Sequence, residues 1–240
     1  MIEFDNTALV VTARMASASL PGRPMMDVNG KPLIVRAWAQ ATASNIGHVL
    51  VAAGENRIAD TVRSAGGDAL VVPRLLKSES DQIAAVLALR DPGRRYQYVM
   101  NLPCHLLAIQ PLSLRRCLAG LMNLDVDIVT VACAAEHAMA SAVKVVAPLE
   151  GEREVAYVRD LVQGPVAQGE LEHIGIYAYR RAALERFATL PVAPQEKDGA
   201  PELLRALAHE LKVVAVKVDR PARSVDTPED LEALRRLLKA

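Results

Sequence analysis

The sequence predicts an α/β fold: a three-layer α/β/α arrangement with a mostly parallel sheet and a small antiparallel, strand-rich extension. Three observations predict it. Short apolar runs alternate with helix-period segments from Ala8 to about Ala132, which is how parallel strands joined by crossover helices read. That alternation then lapses between about residues 143 and 180, where apolar runs follow one another with few helical signals. Of the 240 residues 51% are hydrophobic but only 3% aromatic. The core therefore rests on Leu, Val, Ile and Ala, which suits helices packed on a sheet.

Taken in order, Leu9-Val10-Val11 is the first strand and feeds a small, polar, basic loop from Thr12 to Pro24. Such a loop at the carboxyl end of a strand is where an α/β sheet receives a ligand. Lys31-Pro32 opens a helix with Leu33, Ile34, Ala37, Trp38 and Ala41 inward. Val49 to Ala52 is a strand, Arg57 to Ser64 a helix ended by Gly66-Gly67, and Ala69 to Val72 the third strand. Ser78-Glu79-Ser80-Asp81 offers N-caps for a helix through Leu89. Tyr98 to Leu102 and Ile128 to Ala132 are strands flanking a helix from about Leu112 to Leu121. Val143 to Val146, Val155 to Val158 and Ile174 to Tyr179 form the strand-rich stretch, either an antiparallel extension of the sheet or a dimerisation arm. Arg181 to Leu190 and Pro201 to His209 are helical, Val213 to Val218 a strand, and Pro191 to Pro201 a candidate mobile loop. Thr227 caps the last helix, with Pro228 at its first position and Asp230 completing a capping box. The chain is expected to be a single domain over residues 1–240.

Bulk properties exclude several classes. The 28 basic and 28 acidic residues cancel, so no general attraction to nucleic acid or anionic membrane follows. Cys104, Cys117 and Cys133 form no C-x-x-C pair, which argues against a zinc ribbon or a redox dithiol. Their odd number and wide spacing fit reduced thiols in a cytosolic protein. No basic-then-apolar leader and no spanning apolar run is present, so a cytoplasmic location without membrane insertion is expected. Asp125-Val126-Asp127 has the form of a D-x-D metal motif, but it precedes a strand and reads as a solvated loop. Gly93-Arg94-Arg95 reads as a turn.

Joint order and spacing carry a family resemblance. Ala13-Arg14, Leu20-Pro21-Gly22-Arg23-Pro24, Asn29-Gly30-Lys31-Pro32, Ala142 to Val146, His173 to Arg180 and Val225-Asp226-Thr227-Pro228-Glu229-Asp230-Leu231 together resemble the 3-deoxy-manno-octulosonate (Kdo) cytidylyltransferases. These lie within the nucleotide-diphospho-sugar transferase fold. The resemblance implies activation of a Kdo-like sugar acid with CTP, giving a CMP-sugar and pyrophosphate in lipopolysaccharide biosynthesis. It also implies a homodimer and Mg²⁺. Carried over residue by residue, Ala13, Arg14, Ser17, Gly22 and Arg23 form the nucleotide loop. Arg14 and Arg23 hold phosphates, as a polyanion needs cations and exposed N–H groups. Asp226 binds the metal and His173 lines the sugar pocket; Arg14, Arg23 and Asp226 are the catalytic candidates.

The chain departs from that pattern where charge is needed. The family's P-A-R-x-x-S-T-R-L-P-G-K loop has Ala18 and Ser19 in place of its threonine and middle arginine. In N-V-Q-G-D-E-P the aspartate that shares Mg²⁺ becomes His105, preceded by Cys104. A-T-D-D becomes Ala52-Ala53-Gly54-Glu55. Of D-H-x-S-G-T-D-R only Ser78 and Asp81 remain, with Glu79 and Gln82 among the replacements. Leu203 stands for a glutamine, and Val158-Arg159-Asp160 for F-S-R. A neutral imidazole is a poor Mg²⁺ ligand, so weak or lost cytidylyl transfer is expected. Two other readings stay open: a silent homologue that binds a nucleotide or a partner protein, and a transferase for a different sugar.

Overall fold

The computed structural model describes residues 4–16, 20–73, 76, 78–135, 139–149, 154–194, 196, 200–219 and 222–239. Ser17, and part of the expected loop between Pro191 and Pro201, lie outside the described residues. Two compact units divide the chain, Met1–Pro111 with Ala222–Ala240, and Leu112–Pro221.

In the first unit the chain runs β1 (Thr7–Ala13), β2 (Asp27–Val28), β3 (Lys31–Pro32), α1 (Leu33–Ala43), β4 (His48–Ala53), α2 (Asn56–Ser64), β5 (Asp68–Val71), α3 (Glu79–Arg90), β6 (Tyr98–Pro103) and β7 (Leu106–Leu107). Strands β6, β1, β4 and β5 lie side by side in that order, every pair parallel. All seven β1 residues are buried, the Ala8–Val11 run and the threonines at either side of it alike, as a strand flanked on both edges in a parallel sheet should be. The parallel register continues past the strand ends, since Gly54 N–H donates to the Ala13 carbonyl at 2.8 Å and Cys104 N–H to the Thr12 carbonyl at 3.0 Å. These bonds gather the chain at Ala13, Gly54 and Cys104 to the carboxyl edge of the sheet.

The second unit holds α4 (Pro111–Asn123, its first residue just before the boundary), β8 (Ile128–Ala134), β9 (Met139–Val146), β10 (Val155–Tyr157), β11 (Asp160–Val166), β12 (Leu171–Arg180), α5 (Arg181–Thr189), α6 (Leu203–Ala208) and β13 (Val213–Val218). Here β13 and β8 pair in parallel, while β12 with β8, β10 with β13 and β11 with β9 are antiparallel. The mixed pairing is the strand-rich extension expected. Strand β11 lies within the expected strand-rich stretch but not among its named runs, and it contains Gly164-Pro165. The ladder absorbs that pair by shifting register between Gly164 and Val166, with Gly164 at φ 147°. Proline is tolerated at such an irregularity because no ladder N–H is required of it there.

The chain returns to the first unit as β14 (Arg223–Ser224) and α7 (Pro228–Leu237). Thr227 and Asp230 form the expected capping box, Thr227 Oγ1 accepting from Asp230 N–H at 3.2 Å and Asp230 accepting from Thr227 N–H at 2.9 Å. Ser78 and Asp81 do the same for α3. Asp125 pairs with Lys212 at 2.6 Å and Asp127 accepts from the Lys212 N–H at 2.8 Å, so the D-x-D segment is spent on local structure. No helix among the described residues is long and apolar enough to cross a membrane.

Candidate active site

At the carboxyl edge of β1, β4 and β6 lies a cavity of about 200 Å³ lined by Thr12, Ala13, Arg14, Ala16, Arg23, Glu79, Gln82, Cys104 and His105. Each element delivers its side chain for a local reason. Strand β1 ends at Ala13, so Arg14 is the first residue free of the ladder. Its Nη2 donates to the Leu76 carbonyl, and its Nε is buried without a hydrogen-bond partner among the described residues. Gly54 faces Arg14 so closely that an added Cβ would stand 3.0 Å from Arg14 Cγ. Glu55 accepts from the Met15 N–H at 3.0 Å, pinning the chain as it leaves the strand. Gly22, at φ 77°, adopts the left-handed conformation that glycine reaches without strain and starts the short 3-10 turn Arg23–Met25.

That turn aims Arg23 at Asp226. Nη1 donates to Asp226 Oδ1 at 2.6 Å and to the Val225 carbonyl at 3.0 Å. Asp226 reaches this point because β14 pairs with β7, Ser224 opposite Leu106, and Val225 N–H donates to the His105 carbonyl at 3.0 Å. The other Asp226 oxygen accepts from the Ser224 hydroxyl. Three of the expected residues, Arg14, Arg23 and Asp226, therefore meet in one unit, with His105 beside the Arg23–Asp226 pair. His173 belongs to the second unit, on β12.

Electrostatics follow from burial. Burial lowers the His105 pKa to about 4, aided by Arg23 and opposed by Asp226, so the imidazole is neutral at neutral pH. Burial acts upward on Asp226, but the Ser224 hydroxyl and Arg23 outweigh it and hold the carboxylate below its usual range. Burial raises the Glu79 pKa against the hydrogen bonds of Asn101 and Thr12 and the charges of Arg23 and Arg14. The Cys104 thiol is pushed up to about 12 by burial, which leaves it an un-ionised wall group. Arg14 is lowered by burial, with Glu55, Asp81 and Glu79 opposing, and a guanidinium keeps its charge through such a shift.

A metal fits this donor set poorly. Among the described residues no group of three or more His, Cys, Asp and Glu side chains is placed to hold an ion. Asp226, the expected Mg²⁺ ligand, already has both oxygens engaged, and its neighbour is a neutral imidazole. Mg²⁺ wants a near-octahedral oxygen shell.

In the second unit, His173 Nε2 lies 3.0 Å from Thr130 Oγ1, which also lies 3.0 Å from the Ile176 carbonyl. The hydroxyl has one proton, and a carbonyl can only accept it. His173 Nε2 must then be the donor, and Nδ1 carries the lone pair. Burial lowers the His173 pKa to about 4. The imidazole is a neutral hydrogen-bonding group. Leu203, where the resemblance has a glutamine, is wholly buried.

Comparison with known proteins decides the family. The cytidylyltransferase family model matches residues 8–233. The chain belongs to the cytidylyltransferase family. One relative, the 3-deoxy-manno-octulosonate cytidylyltransferase of Bradyrhizobium sp. (strain BTAi1), is 41% identical over 236 residues, 96% of either chain. That of Azorhizobium caulinodans is 40% identical over 240 residues, 98% of this chain and 96% of its own. Among solved structures, CMP:2-keto-3-deoxy-manno-octonic acid synthetase complexed with CTP superposes with a TM-score of 0.84 at 27% identity, covering 98% of this chain and 99% of that one. A UDP-glucose pyrophosphorylase complexed with UDP-glucose shares the fold, at TM-score 0.68 and 14% identity over 98% of both chains.

Within this cytidylyltransferase, sequence reasoning did not nominate Thr12 or Asn101, and named Glu79, Gln82 and Cys104 without giving them a role in the site. The available signal was placement: Thr12 ends β1, Asn101 sits on the neighbouring β6, and the Ser78 cap puts Glu79 in the first turn of α3. All three face the edge where ligands gather in a parallel sheet.

Proposed function

We propose that this cytidylyltransferase joins CTP to a Kdo-like sugar acid, giving a CMP-sugar and pyrophosphate, and that it does so slowly. In the reaction a sugar hydroxyl oxygen attacks the α-phosphorus of CTP. An O–P bond forms, the α–β bridging P–O bond breaks, pyrophosphate leaves and the hydroxyl proton is lost. The observation that supports the reading best is the pair of guanidinium groups, Arg14 and Arg23, lining one cavity at the carboxyl edge of a parallel sheet. Full-length relatives that bear the Kdo cytidylyltransferase name agree with it. Arg14 and Arg23 hold the phosphates and offset the charge that builds on departing pyrophosphate. Ala13 and Gly22 let the nucleotide approach the backbone, and Ser17 belongs to the same loop. Asp226 orients Arg23. His173 serves the sugar acid as a neutral hydrogen-bonding group. Slow turnover follows from the donor set: His105 stands in place of one carboxylate and Arg23 engages the other, Asp226, so the shared Mg²⁺ of the resemblance finds neither of its two protein carboxylates free here.

A pyrophosphate-release screen across nucleoside triphosphates and sugar acids, with Mg²⁺ and Mn²⁺, tests this. CTP with 3-deoxy-manno-octulosonate should give the signal. Release with no pair would refute the enzymatic reading, and a stronger signal with another sugar would redirect it.

The whole chain is proposed to act as a single domain and as a homodimer that uses the strand-rich region between Val143 and Tyr179. Val155, Tyr157 and Val162 are exposed there, Tyr157 by 57%, and aromatic side chains are enriched in interfaces. Light scattering at micromolar protein should give twice the chain mass; a monomer throughout would refute it.

A further inference from the structure

The cavity carries positive charge on protein side chains that are already aimed. Arg23 is only 14% exposed and is held by a carboxylate on one side and a carbonyl on the other. Arg14 is fixed through Nη2 by the Leu76 carbonyl and, among the described residues, leaves Nε buried without a hydrogen-bond partner in the same wall. The carboxylates around them already accept hydrogen bonds, Asp226 through both oxygens and Glu79 and Glu55 through one each. Asp226 is taken by Arg23 and Ser224, Glu79 by Asn101, and Glu55 by the Met15 N–H. His105 completes the lining with an imidazole, which suits Mg²⁺ badly. A cation entering here would have to strip a guanidinium from its charge-assisted hydrogen bond, the strong class of such bonds.

We infer that this site binds a phosphate-bearing anion through Arg23 and Arg14 without a divalent cation, and that Asp226 is the tether that aims Arg23, not a metal ligand. The inference deepens the function proposed above and rests on it for CTP as the natural ligand. Tripolyphosphate, which has neither base nor sugar, probes the anion site by itself.

The experiment is calorimetric titration of the whole chain with CTP and with tripolyphosphate, in EDTA and in millimolar Mg²⁺. Tripolyphosphate should bind in EDTA, and Mg²⁺ should leave its affinity unchanged or lower it, because the cation cancels ligand charge before it meets the guanidiniums. Arg23→Gln should weaken binding about tenfold or more in EDTA, a change of about 1.4 kcal/mol or more. The wild-type titrations decide even if that variant folds poorly. Mg²⁺ raising the wild-type affinity for either ligand about tenfold or more would overturn the inference, and so would failure of tripolyphosphate to bind in EDTA. Tripolyphosphate binding in EDTA without CTP binding would support the inference and refute the nucleotide reading.

Discussion

His173 sets an acid limit on the stability of the second unit. Its imidazole is buried and donates to Thr130, and its pKa falls from 6.5 to about 4. The unfolded chain then binds a proton that the folded chain refuses. The stabilisation is fully present above pH 6.5 and is lost as pH falls through 4, because stability rises with pH wherever the unfolded state binds more protons. The displacement is worth roughly 3 kcal/mol in total, and roughly 2 kcal/mol of it is gone by pH 4.5. His173→Gln keeps a donor for Thr130 but does not titrate. Urea unfolding of both proteins at pH 7.5 and pH 4.5 is the assay. The wild type should lose roughly 2 kcal/mol more than the variant between those conditions. Equal losses would refute the assignment of a buried, neutral imidazole. The same variant should raise the KM for the sugar acid if the proposed role is right.

Further predictions concern the first unit. His105→Asp should make CTP binding depend on Mg²⁺, tightening it about tenfold; calorimetry that shows no dependence would mean Arg23 does not release Asp226 to share an ion. Gly54→Ala sets a Cβ 3.0 Å from Arg14 Cγ; tripolyphosphate binding should weaken severalfold while the stability cost stays within about 1–3 kcal/mol, and unchanged affinity would show that Arg14 does not need this placement. Thr227→Ala removes the side-chain cap of α7 and should cost about 1 kcal/mol, read by urea denaturation; no change would mean that solvent replaces the cap without loss.

Much of the fold was legible because the controlling forces are local. The Thr227-Pro228-Glu229-Asp230 box announces α7, and the Ser78–Asp81 box announces α3, since each cap is made within four residues. The sequence reads as a strand over Leu9-Val10-Val11, yet β1 spans Thr7–Ala13. The buried Thr7 and Thr12 look polar in sequence, but Thr12 is enclosed through its hydrogen bond to Asn101 at 3.3 Å, a partner 89 residues away. β11 shows the opposite case: Gly164-Pro165 is a local breaker inside the strand-rich stretch, and the pairing with β9 carries the strand through it with a register shift.

The site divides along the same line. Arg14, Arg23 and Asp226 could be nominated as charges at the right motif positions, but their mutual arrangement could not. Arg23 and Asp226 are 203 positions apart in the chain, and no spacing rule indicates that one neutralises the other. That pairing changes what the loss at position 105 means. In the motif alone, His105 subtracts a carboxylate from a metal site. In the folded chain the remaining carboxylate has been given a guanidinium in place of the cation, so the positive charge a metal would bring is supplied by Arg23 itself. A guanidinium carries one charge where Mg²⁺ carries two, and it cannot be drawn onto the leaving oxygens as a mobile ion can. It does bind phosphate in a fixed, bidentate geometry. The exchange therefore predicts a site that retains polyphosphate affinity while losing rate, and the two should separate experimentally, with CTP binding that is indifferent to EDTA alongside slow pyrophosphate release.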